Sequence, residues 1–346
     1  MIAADRNTAS ASSGTDNPVV TVLTAPGLPR SPAFDRLDGR ATVRWTEADG
    51  LTEALPGTDV LLLWDFLSDA VAGSWSAADD LRWIHVAAAG VDKLLFDDLA
   101  ASDVVVTNAR GVFDRPIAEF VLGSILAFGK DFITSLDNQR AGTWKHRESL
   151  LVKGRTALVV GTGGIGREIA RLLTAAGLQV QGVGRTARDS DPDFGRVLPS
   201  SELAAHAGWA DHLVLVAPLT EATRNLVDAD VLAAMKPTAQ LVNVGRGQLV
   251  DQPALVTGLQ NGDLAGAALD VFATEPLPAD DPLWALPQVQ VTPHMSGDVI
   301  GWRDTLAEQF VDNFERWQRG EALLNQVDKR LGYVPSGAAT DGADRS

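Results

Sequence analysis

The run Thr156-Ala157-Leu158-Val159-Val160-Gly161-Thr162-Gly163-Gly164-Ile165-Gly166-Arg167 constrains this chain more than any other. Apolar residues, two of them β-branched valines, lead straight into a glycine cluster. A helical pattern follows, Glu168-Ile169-Ala170-Arg171-Leu172-Leu173. The order is strand, tight turn, helix, with Gly161, Gly163 and Gly166 at the spacing of a dinucleotide-binding turn. Glycine is needed there for three reasons. Gly161 lets the chain turn sharply, Gly163 lets backbone approach a pyrophosphate, and Gly166 lets the helix pack close on the strand. The free N–H groups and positive dipole end of that helix then face the phosphates. A second strand, Gln179-Val180-Gln181-Gly182-Val183, completes the βαβ unit that a chance match among 32 glycines would lack. Thr162, Gly164 and Ile165 complete the loop as cofactor-binding candidates.

A length of 346 residues predicts two domains, each able to bury a core. Hydrophobic content of 45% with 21% charged residues describes a soluble globular protein. The net charge of −16 argues against nucleic acid or an anionic membrane as partner, so any anion site must be built locally. With no cysteine there is no disulfide, thiolate metal site or cysteine nucleophile. Residues 1–17 contain no apolar signal core, and no run is long enough to span a bilayer, so the expected compartment is the cytoplasm.

From Pro18 to about Gly111, strands are predicted at Val19–Leu23, Ala41–Trp45, Val60–Leu63, Trp83–Val86 and Val104–Thr107, alternating with helix-like stretches. That alternation means a parallel α/β sheet. A long helix is expected from Ile117 to Ala141, its apolar faces buried between domains or used for self-association. After the glycine turn, strands are expected at His212–Val216, Ala239–Val244, Ala265–Asp270 and Val289–Thr292. Helices are expected near Asp228–Met235 and Gln252–Gln260. The helix Trp302–Arg319 should cross back to the first domain, with Asn325–Tyr333 ending there.

Three clusters fall where strands should end, the edge at which open α/β sheets bind ligands. Leu241-Val242-Asn243-Val244-Gly245-Arg246-Gly247 places an arginine between glycines, able to fork onto a carboxylate. Leu269-Asp270-Val271-Phe272-Ala273-Thr274-Glu275-Pro276 carries two acids. Val291-Thr292-Pro293-His294-Met295-Ser296-Gly297 carries, of the five histidines, the one at a strand end in the dinucleotide half. Each alone has an ordinary reading: a surface arginine, solvated acids, a structural histidine. Together they supply what hydride transfer to a 2-oxo acid needs: a cation for the carboxylate, a proton donor at the carbonyl oxygen, and a carboxylate that keeps the donor protonated.

The ordered motifs GTGGIG, NVGRG, LDVFATEPLP with DPLW following, and TPHMSG resemble the D-2-hydroxyacid dehydrogenase family, which includes the glyoxylate/hydroxypyruvate reductases. The likeness extends to Ala88-Ala89-Gly90-Val91-Asp92, Val106-Thr107-Asn108-Ala109-Arg110-Gly111, Ala118-Glu119, Trp144 and Asn325-Gln326-Val327-Asp328. The resemblance implies an α/β fold of two doubly wound parallel-sheet domains, one flavodoxin-like for substrate and one a Rossmann domain, with the active site in the cleft between them. Residues 18–119 with 298–334 would form the substrate domain and 120–297 the NAD(P)-binding domain, with disordered tails at 1–17 and 335–346. His294 would be the acid/base and Glu275 its partner. Arg246 would bind the substrate carboxylate and carbonyl, and the amides of Ala89 and Gly90 would hold the same carboxylate. Asp270 would lie near the nicotinamide. Cofactor contacts are also expected from Ala217, Pro218, Thr223, Val244, Gly245, His294 and Gly297. Family members are usually dimers, so a homodimer is expected, with a small 2-oxo acid as substrate.

Three departures stand out. Ala88 occupies a place where the family commonly has glycine, and Phe113-Asp114-Arg115-Pro116 replaces small residues. After the second Rossmann strand, where an NAD-dependent member has Asp, this chain has Gly184 followed by Arg185, Thr186, Ala187 and Arg188. A carboxylate there would bind the ribose hydroxyls of NAD and repel the 2′-phosphate of NADP; arginine does the opposite. NADP(H) is therefore expected over NAD(H). A non-catalytic dinucleotide-binding regulator would keep the same glycines, and a phosphoglycerate dehydrogenase would typically carry a further regulatory domain. Formate dehydrogenase should have Gln before its catalytic histidine, where this chain has Pro293.

Overall fold

The computed structural model describes residues 17–335. Two compact units emerge, one running to Val112 and resuming at Val299, the other Phe113–Asp298. The expected terminal tails, Asn17 and Pro335 apart, lie outside the described residues.

The first unit is an all-parallel sheet of β1 (Val19–Leu23), β2 (Thr42–Thr46), β3 (Val60–Leu63), β4 (Trp83–Val86) and β5 (Val105–Asn108). Its order is β2-β1-β3-β4-β5, the flavodoxin-like arrangement. Short helices α1 (Leu51–Ala54), α2 (Ala70–Ser74) and α3 (Asp97–Ala101) make the crossovers. β3 and β4 are buried at every position, which is why Val-Leu-Leu-Leu and Trp-Ile-His-Val show no alternation.

The second unit begins with α4 (Asp114–Gly129) and α5 (Phe132–Arg140), then β6 (Thr156–Val160), α6 (Gly164–Ala175) and β7 (Gln179–Gly184). A hairpin follows, β8 (Arg188–Asp191) and β9 (Gly195–Pro199). Then come α7 (Leu203–Ala207), β10 (His212–Leu215), α8 (Ala229–Ala234), β11 (Gln240–Asn243), α9 (Gln252–Asn261), β12 (Gly266–Leu269) and β13 (Val289–Val291). The sheet order is β13-β12-β11-β10-β6-β7-β9-β8, parallel except between β8 and β9. From β6 the chain builds outward through β7 and β9, then returns to the other side of β6 with β10. That reversal opens a ligand crevice at the strands' carboxyl ends.

α10 (Trp302–Gln318) rejoins the first unit. It buries Leu306, Phe310, Phe314 and Trp317, with Phe310 stacked on Trp83 at 5.4 Å between ring centroids. Beyond it Gln326 bridges Thr107, and the Val327 N–H donates to the Val106 carbonyl, so Asn325–Tyr333 closes the open edge of β5.

Two expectations are altered by local geometry. The single helix expected from Ile117 to Ala141 is two, because Asp131 takes a left-handed conformation at φ 52°. Arg147 fixes that break by donating to the Asp131 carboxylate (2.6 Å), its carbonyl and the Ser135 hydroxyl. A domain boundary at 119/120 would cut α4, whose Ile117, Ala118, Val121 and Ile125 are buried and which packs on α6 within the second unit. Its apolar face is thus satisfied there, whereas α5 has no buried residue. Among the described residues no helix is long and apolar enough to cross a membrane.

Each sheet buries a histidine. Burial pushes His85 down to about 3, its Nδ1 lying 2.8 Å from Thr107 Oγ1. Burial also pushes His212 down, to about 4, against the opposing hydrogen bond to Gln240 and the charge of Asp211. The unfolded chain would protonate both near the ordinary 6.5, the folded chain only well below it. Stability should therefore be intact above that ordinary value and fall with acid until the folded values are passed, by ~1.4 kcal/mol per pH unit for each histidine. Urea melts of wild type and His212→Gln between neutral and mildly acid pH test this. A variant with the same acid slope as wild type would remove His212 from the account.

Candidate functional site

The glycine turn is built as its spacing requires. Gly161 has φ 117°, and a Cβ there would lie 2.7 Å from the Ala217 nitrogen, so β6 and the chain leaving β10 meet only because it has none. A Cβ on Gly166 would fall on the Gly161 carbonyl oxygen. A Cβ on Gly163 would meet nothing within 4 Å, so bare backbone faces outward at the start of α6, where the first-turn N–H groups lack helical partners. Gly164 faces α4: a Cβ there would stand 2.5 Å from the Asp114 carboxylate, which would have to turn aside. Ile165 sits half-buried in the same first turn. Thr162 lies against β7, its side chain within 3.1 to 3.2 Å of where Gly182 and Gly184 would carry Cβ atoms. These features fit a dinucleotide pyrophosphate lying on the α6 N-terminus.

The remaining candidates in this unit stand on the same edge of the sheet. Arg185 and Thr186 are exposed just beyond β7. Arg188 lies in β8, and its Nε donates to the buried Asp191 carboxylate at 3.0 Å. Asp191 also takes both Arg167 guanidinium nitrogens and the N–H groups of Asp193 and Phe194. Burial raises its pKa, but those contacts prevail and hold it at about 2. Ala217 and Pro218 follow β10, and Thr223 closes their loop by donating to the Pro218 carbonyl at 2.7 Å. Val244 and Gly245 follow β11, and Gly297 lies under the Phe113 ring, 2.7 Å from where its Cβ would be.

Arg246, Glu275 and His294 come together past β11, β12 and β13. His294 Nδ1 is 2.8 Å from Glu275 Oε2, and Glu275 Oε1 accepts the Phe272 N–H at 2.9 Å. Burial raises the Glu275 pKa. The His294 hydrogen bond, the Phe272 N–H and the charges of His294 and Arg246 outweigh that and keep the carboxyl below its ordinary range. An ionised Glu275 fixes the proton on His294 Nδ1 and leaves Nε2 as the atom able to give or take a proton. Gly247 brings the Arg246 turn onto this loop, since any Cβ there would collide with the Phe272–Ala273 peptide.

The loops that carry these side chains are held by further contacts, among them those of Asn243, which was not singled out in the sequence. His294 has φ 52°, a left-handed conformation that costs a non-glycine residue ~1 kcal/mol or more. Asp270, fully buried, accepts from Thr292 Oγ1 (2.5 Å), the Met295 N–H (2.9 Å) and the Ser296 N–H (2.8 Å), and its carbonyl takes the His294 N–H. Its carboxylate thus shapes the His294 loop. Asn243 does the same for Arg246, donating to the Arg246 carbonyl and accepting the Gly245 N–H. Both lie at strand ends inside the quoted motifs, the signal available beforehand. In the other unit, Ala89 and Gly90 follow β4, and Ala88 packs its side chain on that unit's apolar core.

Residues 122–296 match the model of the D-isomer specific 2-hydroxyacid dehydrogenase NAD-binding domain. The chain belongs to the D-2-hydroxyacid dehydrogenase family. This D-2-hydroxyacid dehydrogenase is 33% identical over 290 residues to a glyoxylate reductase of Korarchaeum cryptofilum, covering 81% of this chain and 86% of that one. It is 35% identical over 240 residues to an (S)-sulfolactate dehydrogenase of Chromohalobacter salexigens, 68% of this chain and 77% of that one. Among solved structures it is similar to an NADPH-dependent glyoxylate/hydroxypyruvate reductase of Sinorhizobium meliloti in complex with NADP and malonate. The TM-score is 0.78 and the identity 29%, covering 92% of this chain and 99% of that one. The dehydrogenase is therefore a dinucleotide-binding oxidoreductase, and the two-domain α/β architecture is that of its family.

Proposed function

We propose that this dehydrogenase reduces a small 2-oxo acid of the glyoxylate or hydroxypyruvate kind to the D-2-hydroxy acid, with NADPH in preference to NADH. The observation that carries the reaction is the 2.8 Å His294–Glu275 pair beside Arg246, past the strand ends of the glycine-turn sheet. When bound, the nicotinamide supplies the hydride for the carbonyl carbon. His294 Nε2 gives the proton to the carbonyl oxygen. The Arg246 guanidinium holds the substrate carboxylate and polarises the carbonyl, and the N–H groups of Ala89 and Gly90 take the same carboxylate. The named activity of the Korarchaeum and Sinorhizobium relatives supports this substrate class.

Cofactor choice rests on the end of β7. Gly184 closes the strand with no acid, Asp191 is consumed by Arg167 and Arg188, and Arg185 with Thr186 stands exposed at the next positions. Arg185, Thr186 and Arg188, the residues that follow Gly184, carry the phosphate preference in this reading. kcat/KM should favour NADPH by about tenfold or more, which needs only ~1.4 kcal/mol, within the reach of one charge-assisted contact. The experiment is a panel of glyoxylate, hydroxypyruvate and pyruvate with each cofactor, for wild type and Arg185→Ala. Equal use of both cofactors, or an unchanged ratio in the variant, would overturn the preference.

Self-association as a homodimer belongs to the same proposal. It is supported by the exposed apolar side chains Phe132, Leu136, Trp144 and Leu151, which follow one another along α5 and the segment after it. Sedimentation of wild type and Leu136→Asp should show the variant shifted to monomer.

A further inference from the structure

We propose that Asn108 is a positioning residue for substrate, a clamp that turns the N–H groups of Ala89 and Gly90 to one side as a carboxylate nest. The inference rests on the reading above that these two amides take the substrate carboxylate. β4 and β5 are parallel neighbours, with Val86 paired in register to Asn108. The loops that leave them therefore run side by side. The Ala109 N–H donates to the Ala88 carbonyl at 2.9 Å. Asn108 Nδ2 donates to the Ala89 carbonyl at 2.5 Å.

Peptide geometry converts these two bonds into a binding feature. In a planar trans peptide the N–H points opposite to the carbonyl of the same unit. The Ala88 carbonyl shares its peptide with the Ala89 N–H, and the Ala89 carbonyl shares its own with the Gly90 N–H. Both carbonyls are drawn toward Asn108 and Ala109, so both N–H groups are presented on the opposite side, next to each other. Successive N–H groups so arranged make an anion-binding concavity.

Asn108 is itself held. It is only 3% exposed, its Oδ1 accepts the Arg110 N–H at 3.2 Å, and its own N–H donates to the Asn325 carbonyl at 3.3 Å. These contacts also fix which end of the amide faces Ala89, because the flipped amide would set oxygen against the Ala89 oxygen. One of the two carbonyls is therefore held by a side chain, and that side chain can be changed.

The experiment uses the full chain and its preferred reduced cofactor. Wild type, Asn108→Asp and Asn108→Ala are compared for kcat and KM with a 2-oxo acid, for cofactor Kd by fluorescence, for inhibition by oxamate, and for thermal midpoint. Asn108→Asp keeps the shape and the acceptor for Arg110 but cannot donate to Ala89. It should raise KM and the oxamate inhibition constant together by about tenfold, the worth of one hydrogen bond, with cofactor Kd unchanged and kcat much less affected. Asn108→Ala should move in the same direction. A fall in kcat with KM intact, or loss of the folded state in both variants, would assign the contact to loop stability and overturn the proposal. A wild type that turns over no 2-oxo acid would overturn the reaction assignment instead, so the two failures are separable.

Discussion

His294→Ala is expected to lower reduction of a 2-oxo acid by roughly 10²–10⁴-fold while cofactor binding survives, since that is what a positioned general acid contributes. The imidazole is tied through Nδ1 to Glu275, which leaves Nε2 as the ring nitrogen for the carbonyl oxygen in the proposed reaction. The glycine turn that would hold the pyrophosphate is built from Gly161, Gly163 and Gly166 and makes no use of the histidine. Steady-state turnover and fluorescence titration of the cofactor check the two halves of the expectation. Retention of more than about a tenth of wild-type turnover would remove His294 from the acid role. The substitution also removes a side chain from a left-handed residue, so alanine at this position keeps a strained backbone that Asp270 must still hold. A thermal melt separates that structural cost from the chemical one.

What could be read beforehand was what neighbours in sequence decide. The valines before Gly161 and the glycines after it fix strand, turn and helix within a dozen residues, and β6, α6 and β7 follow. Arg246, Glu275 and His294 were legible because each sits a few residues past an apolar strand, and such strand ends share one edge. What escaped depends on partners far along the chain. Arg188-Asp189-Ser190-Asp191 has no strand-like apolar pattern. It forms β8 because it pairs antiparallel with β9 and because Arg167, 24 residues earlier, grips Asp191. Within that strand Arg188 also pairs with Asp191, three residues on. The break between α4 and α5 likewise rests on Arg147 reaching back 16 residues to Asp131. Asp270 was placed at the nicotinamide, yet three donors from the His294 loop already fill much of its carboxylate, a fact that only the folded loop supplies.

Arg246→Ala is expected to lower kcat/KM for the 2-oxo acid by roughly 10²–10³-fold, because each hydrogen bond to a charged group is worth about 1.5–3 kcal/mol and a forked pair makes two. The structure gives the arginine a fixed base from which to act. Asn243 holds the Arg246 carbonyl and the Gly245 N–H, and Gly247 is pressed onto the Phe272–Ala273 peptide, so the turn has little freedom. Arg246 Nη1 donates to the Gly245 carbonyl at 2.8 Å, which orients the guanidinium further. Its charge also helps keep Glu275 ionised, so alanine acts twice: the substrate loses its cation, and the carboxylate partner of His294 loses a neighbour that favours its charged form. Arg246→Lys separates these effects. An ammonium restores a positive charge near Glu275 but cannot present two parallel donors to a planar carboxylate. The lysine variant should therefore recover part of kcat and leave KM for the 2-oxo acid about tenfold or more above wild type, the cost of roughly one lost charge-assisted bond. Cofactor Kd should be unchanged in both variants. Wild-type kcat/KM in Arg246→Lys would reduce the residue to a point charge and take the fork out of substrate recognition.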